Sequence, residues 1–201
     1  MAEASGRRAG KVRKIIAIAL AVLCGSSVML LVAWGLFVGF DRPLDANDRE
    51  VLVTFERLAA SVEGLQKAPN SETTQRKRFI DGSYEVSYDY DAKELSISSS
   101  VNHERTARDA RQLFTVMSVG VPAAVKLASD VAYVPRKDLY SGGDDRYSAA
   151  LMSNGVAVGH VLVVLQGKDV FFLTVGGAFV DSPAAFRALV QPRLDALKRL
   201  R

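Results

Sequence analysis

From Ile15 to Phe40 the chain carries no charged side chain over 26 positions (IIAIALAVLCGSSVMLLVAWGLFVGF). A helix of roughly 20 apolar residues spans a hydrocarbon core about 30 Å thick. The surplus fits a tilted helix or an end lying among the headgroups. Trp34, Phe37 and Phe40 fall where an aromatic belt belongs, just ahead of Asp41-Arg42-Pro43. A cleaved signal peptide would show a shorter apolar core and a small-x-small pair at its end, and this run has neither. Lipoprotein processing at Cys24 is opposed by Leu23, which stands where a small residue is needed. The expectation is a single-pass signal-anchor helix over residues 15–40, in contact with the lipid bilayer.

Charge sets the orientation. Of the 26 basic and 22 acidic residues, five and one lie in the first fourteen positions, so everything after them nets to zero. Arg7, Arg8, Lys11, Arg13 and Lys14 should stay inside, which makes residues 1–14 a basic cytoplasmic tail and sends residues 41–201 across the membrane. A neutral outer domain offers no broad footprint for phosphate backbones, which argues against a nucleic-acid partner. The single cysteine, Cys24, lies inside the apolar run, so the outer domain can form no disulfide and must rely on an ordinary hydrophobic core. The absence of an Asn-x-Ser/Thr sequon leans towards a bacterial envelope, with the domain periplasmic.

Within the outer domain, Val51, Phe55, Leu58, Val62 and Leu65 recur at spacings of four and three, predicting one amphipathic helix from Leu44 to Leu65 with Asp45 and Asp48 in its first turn. Gln66 to Gln75 reads as a polar linker. Asp81-Gly82 predicts a hairpin between a strand at Arg78–Ile80 and one in which Tyr84, Val86, Tyr88 and Tyr90 share a face. A third strand runs from Glu94 to His103, its serines reading as a polar face. Thr106 and Asp109 form a capping-box-like start to a helix reaching about Leu127, with Pro122 bending it. A strand at Val131–Val134 stops at Pro135. Asn154-Gly155 marks a second hairpin. In Val156–Leu165 and Val170–Val175 both alternating faces are apolar, as in central strands covered on both sides. Ser182-Pro183 opens a last helix that carries Phe186, Leu189, Val190, Leu194 and Leu197 inward.

This order predicts an α+β domain: a mostly antiparallel sheet of six or seven strands with helices packed on both faces. Two successive halves of strands followed by a helix hint at a duplication. The layout is similar to the PsbP-like sandwich domains found on extracytoplasmic membrane surfaces, a likeness of element order alone.

Candidate chemistry is sparse. His160 shares its strand parity with Val156, Val158, Leu162 and Val164, so it reads first as a hydrogen-bonded core histidine and second as a general base or switch. His103 ends its strand beside Asn102 and Glu104, either at the surface or in a cleft. Gly142-Gly143-Asp144-Asp145 matches the first part of the diguanylate cyclase signature but continues with Arg146. Asp144 and Asp145 could instead offer hard oxygen donors to calcium, or simply face solvent at a hairpin entry. No residue pattern asks for a cofactor. In the apolar run, Gly35 and Gly39 form a GxxxG pair, and Ala17, Ala21 and Gly25 a second small-residue ridge, either of which could dock another helix. The expected function is a membrane-anchored, non-enzymatic binding or assembly module with a protein partner or a small apolar ligand. The alternative is a tethered enzyme using His103 or His160 with a carboxylate such as Asp144 or Glu104.

Overall fold

The computed structural model describes residues 39–120, 122 and 131–199. The apolar run lies outside them except for its last two positions, and so do Ala17, Ala21, Gly25 and Gly35. Among the described residues no helix is long and apolar enough to cross a membrane. Gly39 has φ +75°, and Phe40–Asp41 forms a short strand, β1. A right-handed helix needs φ near −63°. Gly39 and Phe40 therefore do not lie in a right-handed helix, and the rest of the expected span lies outside the described residues. That glycine packs against Phe79, where a Cβ would come within 3.1 Å of the ring; Gly35, its partner in the GxxxG pair, lies outside the described residues.

Two short helices, α1 (Ala46–Glu50) and α2 (Phe55–Ala59), replace the single helix expected over Leu44–Leu65. Asp45 and Asp48 do open α1, as a reciprocal capping box. The break at Val51–Thr54 has a packing cause. Val51, Leu52 and Val53 are all buried, and three consecutive residues cannot face one side of a helix. Their freed amides find tertiary acceptors: Val53 N–H donates to Ser99 Oγ (2.9 Å) and Phe55 N–H to the Tyr88 hydroxyl (3.0 Å).

The strands that follow are β2 (Glu72–Arg78), β3 (Tyr84–Asp91) and β4 (Ser96–His103). β2 takes up part of the expected linker; its polar, mostly exposed residues carry no apolar alternation to reveal it. On β3, Val86, Tyr88 and Tyr90 are buried on one face as the alternation predicts. On β4, Ser99 is an exception to the polar reading of the serines, because it sits fully buried on the core face between Ile97 and Val101.

Thr106 caps α3 (Ala107–Thr115), accepting from Asp109 N–H, and the helix passes into one π-turn at Val116–Gly120. Its expected continuation to Leu127 falls largely outside the described residues. β5 (Val131–Pro135), β6 (Asp145–Ser153), β7 (Val156–Gln166) and β8 (Asp169–Gly176) follow, then α4 (Pro183–Leu197) with Ser182 as its cap. Asn154 and Gly155 both have positive φ, the conformation of a type I′ turn.

All neighbours pair antiparallel in one eight-stranded sheet of order β1-β2-β3-β4-β8-β7-β6-β5. The fold is α+β, with the two-residue β1 taking the strand count past the six or seven expected. Helices α1, α2 and α4 cover one face, over Val86, Val101, Leu162 and Phe171. Helix α3 covers the other, with Ala110 and Phe114 against Val161, Val163, Leu165 and Val170. β7 and β8 are thus buried on both faces, as their doubly apolar patterns require. The geometry opposes the duplication. Exchanging the antiparallel pair β4 and β8 needs a two-fold axis normal to the sheet, which would put α3 and α4 on the same face; they lie on opposite ones.

Candidate functional site

The two histidines sit far apart in the sheet. His103 is directly opposite Asp169 in the β4–β8 register, whereas His160 is opposite Val175 on the other side of β8. Six residues of strand separate the two positions, about 20 Å at roughly 3.3 Å per residue. They cannot serve one site.

His160 is fully buried. Its Nε2 accepts from Val180 N–H at 2.8 Å, its ring stacks on Phe179 at 4.3 Å between centroids, and Phe186 lies tilted against it at 4.8 Å. Accepting at Nε2 leaves the proton of the neutral ring on Nδ1, which has no hydrogen-bond partner among the described residues. Burial pushes its pKa down to about 4, with a contribution from Arg136. His160 lies on the same face as Leu162 and Val164, but not with Val158 as alternation had suggested. The β6–β7 register steps from Leu151↔Gly159 to Met152↔Ala157, so Val158 is the extra residue of a bulge and packs on the α3 face.

His103 is the more available of the two. Its Nδ1 lies 2.6 Å from Asp169 Oδ1, with the ring 26% exposed and the acid 3%. Tyr84 stacks on the ring at 5.0 Å. An aspartate at Nδ1 fixes the tautomer and leaves Nε2 as the basic nitrogen, the arrangement of a general base or a metal ligand. Neither chemistry is completed. No described residue hydrogen-bonds Nε2, and no group of three metal-ligating side chains occurs among the described residues. The carboxylate partner is Asp169 and not the Glu104 or Asp144 expected from the sequence. Glu104 lies within reach of the His103 charge, but its pKa is raised, first by burial and then by the Asp109 and Asp81 charges. Asp169 escaped notice because 66 residues separate it from His103. One signal was available: its parity places it on the core face with Phe171, Leu173 and Val175, where an acid requires a partner.

The Gly-Gly-Asp-Asp loop does structural work. Asp144 Oδ2 accepts from Gly167 N–H at 2.6 Å and Asp144 N–H donates to Leu165 O, tying the loop to the β7–β8 turn. A Cβ on Gly143 would meet Val164 at 2.5 Å, and one on Gly142 would meet the Tyr140 hydroxyl at 2.2 Å. Asp145 turns away to Arg111, 3.5 Å distant. The two acids make separate contacts, and both glycines are closely packed by their neighbours.

A larger opening lies on the α3 face at the opposite end of the sheet from His103. This groove of about 570 Å³ has Val131, Tyr133, Leu151 and Val158 on its floor and Lys93 and Glu94 at its rim. The bulge at Val158 supplies part of that floor, so no strand-parity argument from the sequence could have found it.

Comparison with protein-family models, with curated proteins and with solved structures returned no match. The likeness in layout to PsbP-like domains gains no support from them.

Proposed function

We propose that the chain is a single-pass membrane protein of a bacterial envelope, with a cytoplasmic N-terminus and an extracytoplasmic domain that binds a partner protein without catalysing a reaction. The anchor rests on the uncharged run at 15–40 and the basic residues before it. The groove at Val131, Tyr133, Leu151 and Val158 carries the binding reading, because an apolar floor with a charged rim suits an apolar segment of a partner. His103 and His160 are accounted for by contacts within the domain.

Two measurements test this. A reporter that matures only in the cytoplasm, fused after Arg201, is expected to be silent, and a phosphatase active only outside is expected to work; the reverse result sinks the orientation. Tyr133→Ser and Val158→Ser are expected to abolish the cellular phenotype when assayed well below their own melting temperatures. If instead His103→Asn abolishes it while both groove variants retain it, the enzyme alternative replaces the binding module.

A further inference from the structure

Six large apolar side chains are exposed among the described residues, and two of them, Phe40 and Ile80, meet where the chain enters the domain. Phe40 lies opposite Arg78 in the β1–β2 register, and a Cβ on Gly39 would touch the Phe79 ring. From Asp41 back to Gly39 the chain therefore runs towards the tip of the β2–β3 turn. Paired strands lie about 5 Å apart and a residue advances about 3.3 Å, so Ile80, two residues past Arg78, is within about 10 Å of Phe40.

The turn itself gives no reason for an isoleucine. Gly82 N–H donates to Phe79 O (3.1 Å) and Phe79 N–H to Ser83 O (2.9 Å), which makes Ile80 the second residue of a four-residue turn. That position favours proline or a polar residue facing water. Ile80 is instead 50% exposed and belongs to neither apolar cluster of the domain. Its neighbour Asp81 is exposed and keeps its charge, the pKa held down by bonds from Ser83 Oγ (2.6 Å) and N–H (3.0 Å). Charge around the tip is mixed, with Arg42, Lys77 and Arg78 against Asp41 and Asp81. An apolar apex among charges of both signs suits the headgroup zone of a bilayer, where aliphatic and aromatic side chains dip inward and long basic ones reach outward.

We propose that the β2–β3 turn is a second point of contact with the lipid bilayer, with Ile80 and Phe40 seated together at headgroup depth. This contact presupposes the anchor over residues 15–40 proposed above. Phe40 is both the last residue of the uncharged run and the first of β1, so no spacer separates that run from the sheet. β3 leads from the turn at Tyr84 to Asp91 in the lining of the groove, about 23 Å of strand. Seating the tip thus leaves the groove at the end of the sheet remote from the contact.

The chain supplies its own probes, because its five isoleucines are Ile15, Ile16 and Ile18 in the uncharged run, Ile80 at the tip and Ile97 in the core. Full-length protein with isotope-labelled isoleucine δ-methyl groups is placed in phosphatidylcholine nanodiscs, and Ile80→Leu identifies the Ile80 signal by NMR. Two paramagnetic reagents are compared, a water-soluble gadolinium chelate and a lipid with a nitroxide high on its acyl chain. Ile80 is expected to be broadened by the nitroxide and spared by the chelate, although the fold leaves it half exposed. Ile97, buried near the other end of β4, is expected to be spared by both. Any other response of Ile80 overturns the contact. Broadening by both reagents is included, since a side chain merely held near the membrane stays wet. Ile15, Ile16 and Ile18 separate this failure from failure of the anchor. If the nitroxide broadens them and the chelate does not, the anchor stands and only the seat falls. If the chelate broadens them, the anchor falls and the seat with it.

Discussion

Val180 donates its backbone N–H to Nε2 of His160 across 2.8 Å, from a segment 20 residues further along the chain. The bond links the chain leaving β8 to the middle of β7, and it does so inside a cage formed by Phe179 and Phe186. Everything about that environment favours the neutral ring: it is sealed from water, its Nε2 is an acceptor, and no carboxylate stands near enough to appear among the influences on its pKa.

The consequence is a defined pH dependence of stability. The folded ring titrates at about 4, below the ordinary value of 6.5 expected in the unfolded chain. Above pH 6.5 both states are neutral and His160 contributes no slope. Between pH 6.5 and 4 the unfolded state takes up a proton that the folded state refuses, so stability falls as the pH falls, by about 3 kcal/mol in all. His160→Phe removes this term and also strands the Val180 amide, at a cost of about 1–3 kcal/mol. Chemical denaturation should therefore find the variant less stable at pH 7 and flatter than wild type between pH 6.5 and 4. Parallel profiles for the two proteins would show that His160 is not the buried neutral ring described.

Gly159 offers a test of the sheet itself. It pairs with Gly176 across β7 and β8, and a Cβ at Gly159 would lie 2.0 Å from the Val175 carbonyl oxygen. Gly159→Ala must move the strands apart and should cost about 2–3 kcal/mol in a urea titration. Gly155, in the hairpin turn, has open space around its missing Cβ and only its positive φ to protect, so Gly155→Ala should cost about 1 kcal/mol. Equal losses at the two positions would contradict the close approach of β7 and β8.

His103 and Asp169 separate structure from catalysis. The acid is nearly sealed and the ring is about a quarter exposed. Losing the ring therefore removes a hydrogen bond to a buried carboxylate, and His103→Ala should lower stability by about 1–2 kcal/mol. On the binding reading, partner association at a temperature well below melting is unchanged. A variant that melts like wild type but has lost its phenotype would make the dyad part of a reaction site.

Much of the domain was legible one element at a time. The Tyr84–Tyr90 alternation, the Asn154-Gly155 turn, the Thr106 and Ser182 caps and the inward stripe of α4 all express local rules. So does the doubly apolar pattern of β7 and β8. β2 was not legible, because a polar strand paired on both edges carries no burial pattern. Nor was the α1–α2 break, whose helical stripe is real but whose amides are satisfied by Ser99 and Tyr88 from strands that come 46 and 33 residues later.

The sequence by itself determined the uncharged run with its basic flank, the absence of disulfides from the domain, and the kinds of element that each stretch forms. These follow from side-chain periodicity, charge and turn chemistry, all of which act over a few residues. Only the tertiary structure decided which strands became neighbours. The β4–β8 junction sets Asp169 against His103, the bulge at Val158 opens the groove, and the seating of α4 against α1 brings Arg199 to Glu50. Those relations join positions dozens to more than a hundred residues apart. They exist because buried faces must be covered and buried polar groups must find partners, and no local rule states which segment will supply them.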